Sequence, residues 1–503
     1  MMERIYVLLL GITILLGGCD SMEESFEQFS DRIHYVGKCS ELTVTPGWEK
    51  VDLAWKNGID PSRNKIKITW IYNNGANQMD TLLPGDSMSC QIKNLENENY
   101  TFTVYGVDSA GNCSLPETNY GRPYTYEHEA LVGFSTVVIK SFRVKDNVLL
   151  FFDSWSASLK EVKLQYYQGG EKQEMVLNKE ILNKKYLLIE GVDDAEVVVL
   201  RTGTLEGCPD EIVFQPYELD FNSRNFGNDF ASQVKDRYQV NDIITDEFVN
   251  SLTELELDRD IQSLEDILFF PNLKKLKLGK NRYMDANYLV SVSNPKKSLL
   301  EEKELSMYIL ELANRINGLT VECYNEHYFS NGEISGKSFM LPKDNPTLPD
   351  LNYLSTENWN ITVAVKDETG YNSHMEYLLD NDATTIWRPR LSTSFVMLHE
   401  LTIDMKEQKT FSGFKVAQKA FVNENDGDAT YLPNSIKIMT SSNNVSWDVP
   451  FIAEDVVIEN TPGEVNLLRL KEPKTARYIR IKLSDISNYG MFNVLLGDFI
   501  PFE

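Results

Sequence analysis

The sequence predicts a mainly β, multidomain protein. Three observations carry that expectation. Short alternating runs recur between turns rich in Gly, Pro and Asn, the pattern of strands in antiparallel sheets. Aromatic residues make up 11% of the chain, with 24 Tyr and 24 Phe, and such residues favour pleated, half-buried surfaces. The length of 503 residues allows about three to five domains at roughly 100–200 residues each.

Composition and charge limit the function classes. With 42% hydrophobic and 25% charged residues, the chain has the make-up of ordinary folded domains. There are 49 Lys and Arg against 75 Asp and Glu, a formal charge of −26. That balance argues against nucleic acid and against docking on anionic lipid. Most of it belongs to solvated surface and names no partner.

The first element is apolar. Ile5 to Leu10 continues through Ile12, Ile14, Leu15 and Leu16. It is shorter than the about 20 residues of a membrane helix. It lies where a secretory signal segment lies. Leu16-Gly17-Gly18-Cys19 resembles a bacterial lipobox, which implies a signal peptide at 1–18 and lipid on the thiol of Cys19. Asp20, Glu23, Glu24 and Glu27 follow within an acidic tether at 19–37. That stretch resembles the export signal of Bacteroidetes surface lipoproteins; the alternative is a solvated spacer. The resemblance implies a lipid-anchored protein of the cell outer membrane, facing the exterior.

Five cysteines remain beyond Cys19: Cys39, Cys90, Cys113, Cys208 and Cys323. Their wide spacing is no dense disulfide framework. Without a C-x-x-C there is no zinc-ribbon or thioredoxin motif. A pairing of Cys90 with Cys113 stays open.

Residues 38–125 read as one sandwich. Val51-Asp52-Leu53-Ala54-Trp55 and Ile66 to Tyr72 alternate, and Tyr100-Thr101-Phe102-Thr103-Val104-Tyr105 precedes Asp108-Ser109-Ala110-Gly111-Asn112. This resembles a fibronectin type III domain, with Tyr100 placed for a tyrosine corner. Residues 130–218 repeat the rhythm through Val148 to Phe152, Val162 to Tyr167 and Val197 to Leu200, a second domain of the same kind.

Residues 219–345 differ. Leu252-x-x-Leu255-x-Leu257 returns as Leu273-x-x-Leu276-x-Leu278, 21 residues later. That is a leucine-rich-repeat signature, one strand per unit. Two units are clear, and Leu319-Thr320-Val321 offers a degenerate third. Helical spacing runs from Leu299 to Ile316, and Asn317-Gly318 stops it. Pro342, Pro346 and Pro349 mark 341–352 as a linker.

Residues 353–503 carry four motifs in order. These are Asp380-Asn381-Asp382-Ala383-Thr384-Thr385-Ile386-Trp387, Phe411-Ser412-Gly413-Phe414-Lys415-Val416, Pro433 through Trp447, and Ala476-Arg477-Tyr478-Ile479-Arg480-Ile481. Together they resemble the discoidin, or coagulation factor V/VIII (F5/8) type C, domain, similar to family 32 carbohydrate-binding modules. The resemblance implies a jelly-roll-like sandwich with a structural Ca²⁺ in the first loop. Asp380, Asp382 and Thr385 supply the hard oxygens Ca²⁺ prefers. The family's C-terminal Glu is missing, and Asn493 offers an amide oxygen in its place. The alternative is that Asp380 and Asp382 hydrogen-bond their own turn.

Trp387 and Trp447 are expected in the core, and Arg477 in a structural pairing. A sugar site needs an exposed aromatic face and planar polar groups. Loop candidates are Tyr371, Asn372, His374, Arg388, Arg390 and Phe421. No exposed apolar spike is legible.

No H-E-x-x-H, G-x-S-x-G or phosphate-binding glycine loop is present. The expected function is therefore non-catalytic: a cell-surface lipoprotein that binds oligo- or polysaccharide through its C-terminal domain. By resemblance it serves polysaccharide utilisation beside an outer-membrane glycan importer and its surface lipoprotein. Its only membrane attachment would be the lipid. The alternative is an adhesin or scaffold that binds a protein.

Overall fold

The computed structural model describes residues 35–131, 137–152, 158–241, 243–284, 296–364, 374–420 and 430–503. Cys19, Tyr371, Asn372 and Phe421 lie outside the described residues. The fold is mainly β, in several sandwich sheets. The chain divides into two compact units, one ending at Asp220 and one running from Phe221 to Glu503 together with Phe142–Lys145. Among the described residues no helix is long and apolar enough to cross a membrane.

In the first unit, Cys39–Gly47, Lys50–Asn57 and Ser89–Lys93 form a three-stranded sheet. Arg63–Tyr72, Asn77–Pro84, Tyr100–Asp108 and Glu117–Gly121 form a four-stranded one. Strand alternation turns Val51, Leu53 and Trp55 inward from one sheet and Ile66, Ile68 and Trp70 from the other. The Tyr100 hydroxyl accepts from the Glu96 N–H at 3.0 Å, a tyrosine-corner bond. Cys90 and Cys113 are both free thiols.

A second pair of sheets follows, within the same unit except for Phe142–Val144. Val138–Val144, Asn147–Phe152 and Tyr186–Ile189 make three strands. They are accompanied by a sheet built on Leu159–Gln168, Glu171–Leu177 and Val198–Gly203. Asp210 ties the two sandwiches, accepting from Lys50 Nζ and from the Trp48 N–H, each at 2.8 Å.

The second unit begins with a parallel ladder. Leu255 pairs with Leu276 and Leu257 with Leu278, so the 21-residue spacing becomes an in-register stack. Val321 and Cys323 continue both columns. A fourth parallel strand, Met340–Lys343, pairs with Thr320–Tyr324. The expected two-to-three-strand stack is thus longer by one, and the expected linker at 341–352 begins only after Lys343. Pro342 is tolerated because it lies on the last strand, where a missing N–H breaks no ladder. The helix Lys303–Asn317 buries Ile309, Leu310, Leu312 and Ala313 and ends at Gly318, which takes the left-handed φ of 70°.

The C-terminal sandwich is built around two long strands, Leu398–Ala417 and Glu464–Ser484, paired antiparallel with register shifts near Asp404–Lys409 and Phe411–Gly413. Trp387, Leu401, Ile403, Phe414, Ile479 and Phe499 are among its fully buried residues. Gly413 is required there: a Cβ would lie 2.4 Å from both Leu468 O and the Phe502 ring. The ladder and the sandwich are joined rather than spaced. Tyr283–Met284 add to the sheet edge at Glu464–Val465. Beside them Arg282 is sealed in. It pairs with Glu464 through Nε and Nη2, and with Glu459 at 3.3 Å.

Candidate ligand-binding loops of the C-terminal sandwich

The Asp380–Trp387 loop closes on itself. Asp380 accepts from the Asp382 N–H at 3.0 Å and from the Thr385 hydroxyl at 2.8 Å. Asp382 accepts from the N–H and hydroxyl of Thr384 at 2.9 and 2.6 Å. Asn381 between them takes a φ of 58°. Asn493 uses its carbonyl oxygen on the Val494 N–H at 3.0 Å. The acid at the loop is Asp498, wholly buried. Lys415 reaches in from the long strand and donates to Asn381 Oδ1 at 2.6 Å and Asp498 Oδ2 at 3.1 Å. Burial pushes the Asp498 carboxyl up to about 6; Asp380 and Asp382 add to this and Lys415 opposes it. Among the described residues no three His, Cys, Asp or Glu side chains form a group fit for a metal ion.

A second loop, 388–397, carries Arg388 and Arg390. It is zipped along the final stretch of chain: Ser392 and Phe492 exchange both backbone bonds, at 2.9 and 2.8 Å. Trp387 pairs with Leu496 in the same way. Its far end is held by Asp485, which accepts from the Met397 N–H at 2.9 Å and from His399 Nε2 at 2.8 Å. Asp485 and His399 are both buried. This pillar had no signal in the sequence.

Beside it runs a tight hairpin, Ile486–Asn488 with Met491–Asn493. Its two-residue turn is Tyr489-Gly490, with φ of 45° and 77°. Positive φ at both positions is the type I′ geometry that matches strand twist. Gly490 accepts it freely. Tyr489 is strained there, since a bulky side chain rarely sits at positive φ. Tyr489 is 97% exposed. Phe395, 63% exposed, lies on the neighbouring loop, with Leu391, Val396 and Leu398 also out in solvent. The expectation of no exposed apolar spike is corrected: apolar side chains crowd this flank.

The remaining candidates separate. Arg388 and Arg390 are exposed on the zipped loop. His374 lies elsewhere, hydrogen-bonded to Glu376 at 2.9 Å and stacked on Tyr377. That bond lowers the Glu376 carboxyl below its usual range. Glu376 lines a hollow of ≈ 370 Å³ with Trp359, Met375 and Leu379. Trp387 is fully buried, as expected. Trp447 is not core: it is half-buried, with the Arg480 guanidinium 3.9 Å from its ring centre. Arg477 grips Asp404 through two bonds of 2.9 and 3.1 Å. The larger hollow, ≈ 410 Å³, lies between ladder and sandwich and is lined by Arg237, Glu256, Asn281, Phe451 and Glu459. Its charges are already matched: Arg237 Nε donates to Glu256 at 3.0 Å, and Asn281 bridges Glu256 and Asp258 at 2.9 Å each.

Comparison with known families places two segments. Residues 360–494 match the model of the F5/8 type C domain, so the chain carries a discoidin domain at its C-terminal end. Residues 19–202 match a domain of unknown function, DUF4998. No curated protein matches the chain. Among solved structures it is similar to the family 32 carbohydrate-binding module of Clostridium perfringens NanJ in complex with galactose. That match has 13% identity and a TM-score of 0.25, and covers 31% of this chain and 100% of that one. It is similar to a family 32 module of a Clostridium perfringens family 31 glycoside hydrolase, at 14% identity and TM-score 0.24, covering 30% and 94%. It is also similar to the two-domain fibronectin type III segment of chicken tenascin, at 13% identity and TM-score 0.18, covering 36% and 97%.

Proposed function

We propose that the protein binds glycan, without catalysis, at the loop flank formed by 388–397 and the hairpin 486–493. One observation carries this reading: Tyr489, on the discoidin domain, is held at positive φ with its ring almost wholly in solvent. A strained, exposed aromatic points to function, because folding alone would select Asn or Gly there. A pyranose needs such a face for its C–H side and planar donors for its hydroxyls. Tyr489 and Phe395 supply the faces, and Arg388 and Arg390 the donors. The Asp485–His399 pillar keeps the loop in place before ligand arrives, which lowers the ordering cost of binding.

In this reading Cys19 carries lipid at the outer membrane and the two N-terminal sandwiches act as a stalk. The captured glycan passes to an importer and its surface lipoprotein. A glycan array probed with the chain from residue 20 tests the core of it. Binding to at least one carbohydrate class is expected; silence across the array contradicts it. Leu391, Val396 and Leu398 favour a second reading, a protein-binding adhesin or scaffold, since they are more apolar than a sugar needs. A null array with capture of one defined surface protein selects that reading.

A further inference from the structure

The discoidin resemblance implies a Ca²⁺ in the Asp380–Thr385 loop, and the side chains in that loop do not leave it a place. Asp380 accepts from the Asp382 N–H and the Thr385 hydroxyl, and Asp382 accepts from the N–H and hydroxyl of Thr384, so donors of the loop itself occupy both carboxylates. The acid nearest them, Asp498, is matched by a fixed ammonium. We propose that Lys415 is the loop's built-in cation, so that this domain is assembled without Ca²⁺.

Three observations support it. Lys415 is 6% exposed although Lys is almost never buried unpaired. Its Nζ bridges two parts of the chain that a cation would have to bridge, the loop at Asn381 and the final strand at Asp498. The loop is also held by the chain just after the long strand: Ala420 N–H donates to Ala383 O at 2.8 Å. Gly497, just before Asp498, packs closely on Ala383, since a Cβ would sit 3.3 Å from its Cα. The geometry therefore holds three elements together around one positive charge. One oxygen of Asp498, Oδ1, is buried with no hydrogen-bond partner among the described residues. A point ammonium meets only part of what a divalent ion would.

That leftover valence gives the proposal a test in two arms on the full chain. In the first, the thermal transition of the unaltered protein is followed in EDTA and in millimolar Ca²⁺, with calorimetric titration of Ca²⁺ beside it. No shift and no binding heat are expected. A rise in Tm with Ca²⁺, or a fall in EDTA, overturns the proposal. In the second, Lys415→Ala removes the ammonium and leaves Asp498 and the Asn381 side-chain oxygen facing the space. Ca²⁺ is expected to bind this variant and raise its Tm by about 3–6 °C at tenfold excess over Kd. A folded Lys415→Ala that ignores Ca²⁺ overturns the claim that the ammonium stands where a cation would. Lys415→Met, which fills the space without charge, is expected to ignore Ca²⁺. If Lys415→Ala does not fold, the first arm decides alone.

Discussion

Arg282 and Lys415 are both nearly sealed from water, at 3% and 6% exposure, and both face a buried carboxylate. They solve the same problem differently. Arg282 lies between ladder and sandwich and uses its whole fork: Glu464 takes two bonds, Glu459 pairs at 3.3 Å, and Ser298, Thr461 and two backbone carbonyls take the rest. Lys415 lies inside the sandwich and gives Asp498 a single bond of 3.1 Å. The planar guanidinium fixes geometry, whereas the ammonium is a point charge. The first site locks two elements into one body. The second supplies charge where exact direction matters less.

The largest effect should come from breaking the fork. Arg282→Met leaves Glu464 buried without its cation and takes the nearest one from the half-buried Glu459, a loss of about 3–5 kcal/mol. Urea unfolding of the full chain should show it, with ladder and sandwich melting separately. A loss under about 1 kcal/mol would mean the fork is incidental.

Lys415→Met should cost less, about 1–3 kcal/mol near neutral pH, for one unsatisfied buried carboxylate. The Asp498 carboxyl is already raised to about 6, chiefly by burial. It can therefore take a proton and stay buried. The penalty should shrink as pH falls from 8 to 5, and equal penalties at both would contradict the assignment.

Two buried groups set opposing pH slopes. Burial, with Arg282 and Lys297 adding, lowers His327 to about 3, so it is neutral when folded. Its stability is present above the ordinary value of about 6.5 and is lost as pH falls toward 3. Asp498 runs the other way: its contribution is full below about 3.9 and is lost as pH rises through 6. Asp498→Asn removes the second slope, so its Tm should fall more steeply than that of the unaltered protein between pH 6 and 4. His327→Gln should flatten the acid-side loss over the same range.

The smallest effect belongs to a half-buried cation laid over a ring. Arg480 over Trp447 should contribute about 0.5–1 kcal/mol, and its pairing with Glu400 and Thr402, each at 3.2 Å, about as much again, so Arg480→Ala should move Tm by only a few degrees. A larger loss would mean that these contacts hold the sandwich together more than surface contacts do.

What the sequence revealed follows from range. The Leu triplets at 252–257 and 273–278 could be read because their spacing is their register. Tyr100 and Gly318 announced themselves through local backbone chemistry. Lys415 could not be read: within an alternating strand it looks like a solvent-facing position, and its acid lies 83 residues away. Asp498 itself carries no local pattern that marks it as the acid beside the loop. Trp447 differs from the expectation because the discoidin resemblance implies a buried Trp there, whereas Arg480, from a distant strand, covers it. Tyr489 was missed because only the structure shows its positive φ and its exposure.

The glycan reading stands on that residue, and one titration tests it. The chain from residue 20 and its Tyr489→Ala variant are titrated calorimetrically with the best carbohydrate from the array. Equal thermal transitions are expected, because Tyr489 packs on nothing. Affinity should fall at least about tenfold, the effect of losing one stacking aromatic worth roughly 1.4 kcal/mol. Unchanged affinity in a folded Tyr489→Ala would contradict the account.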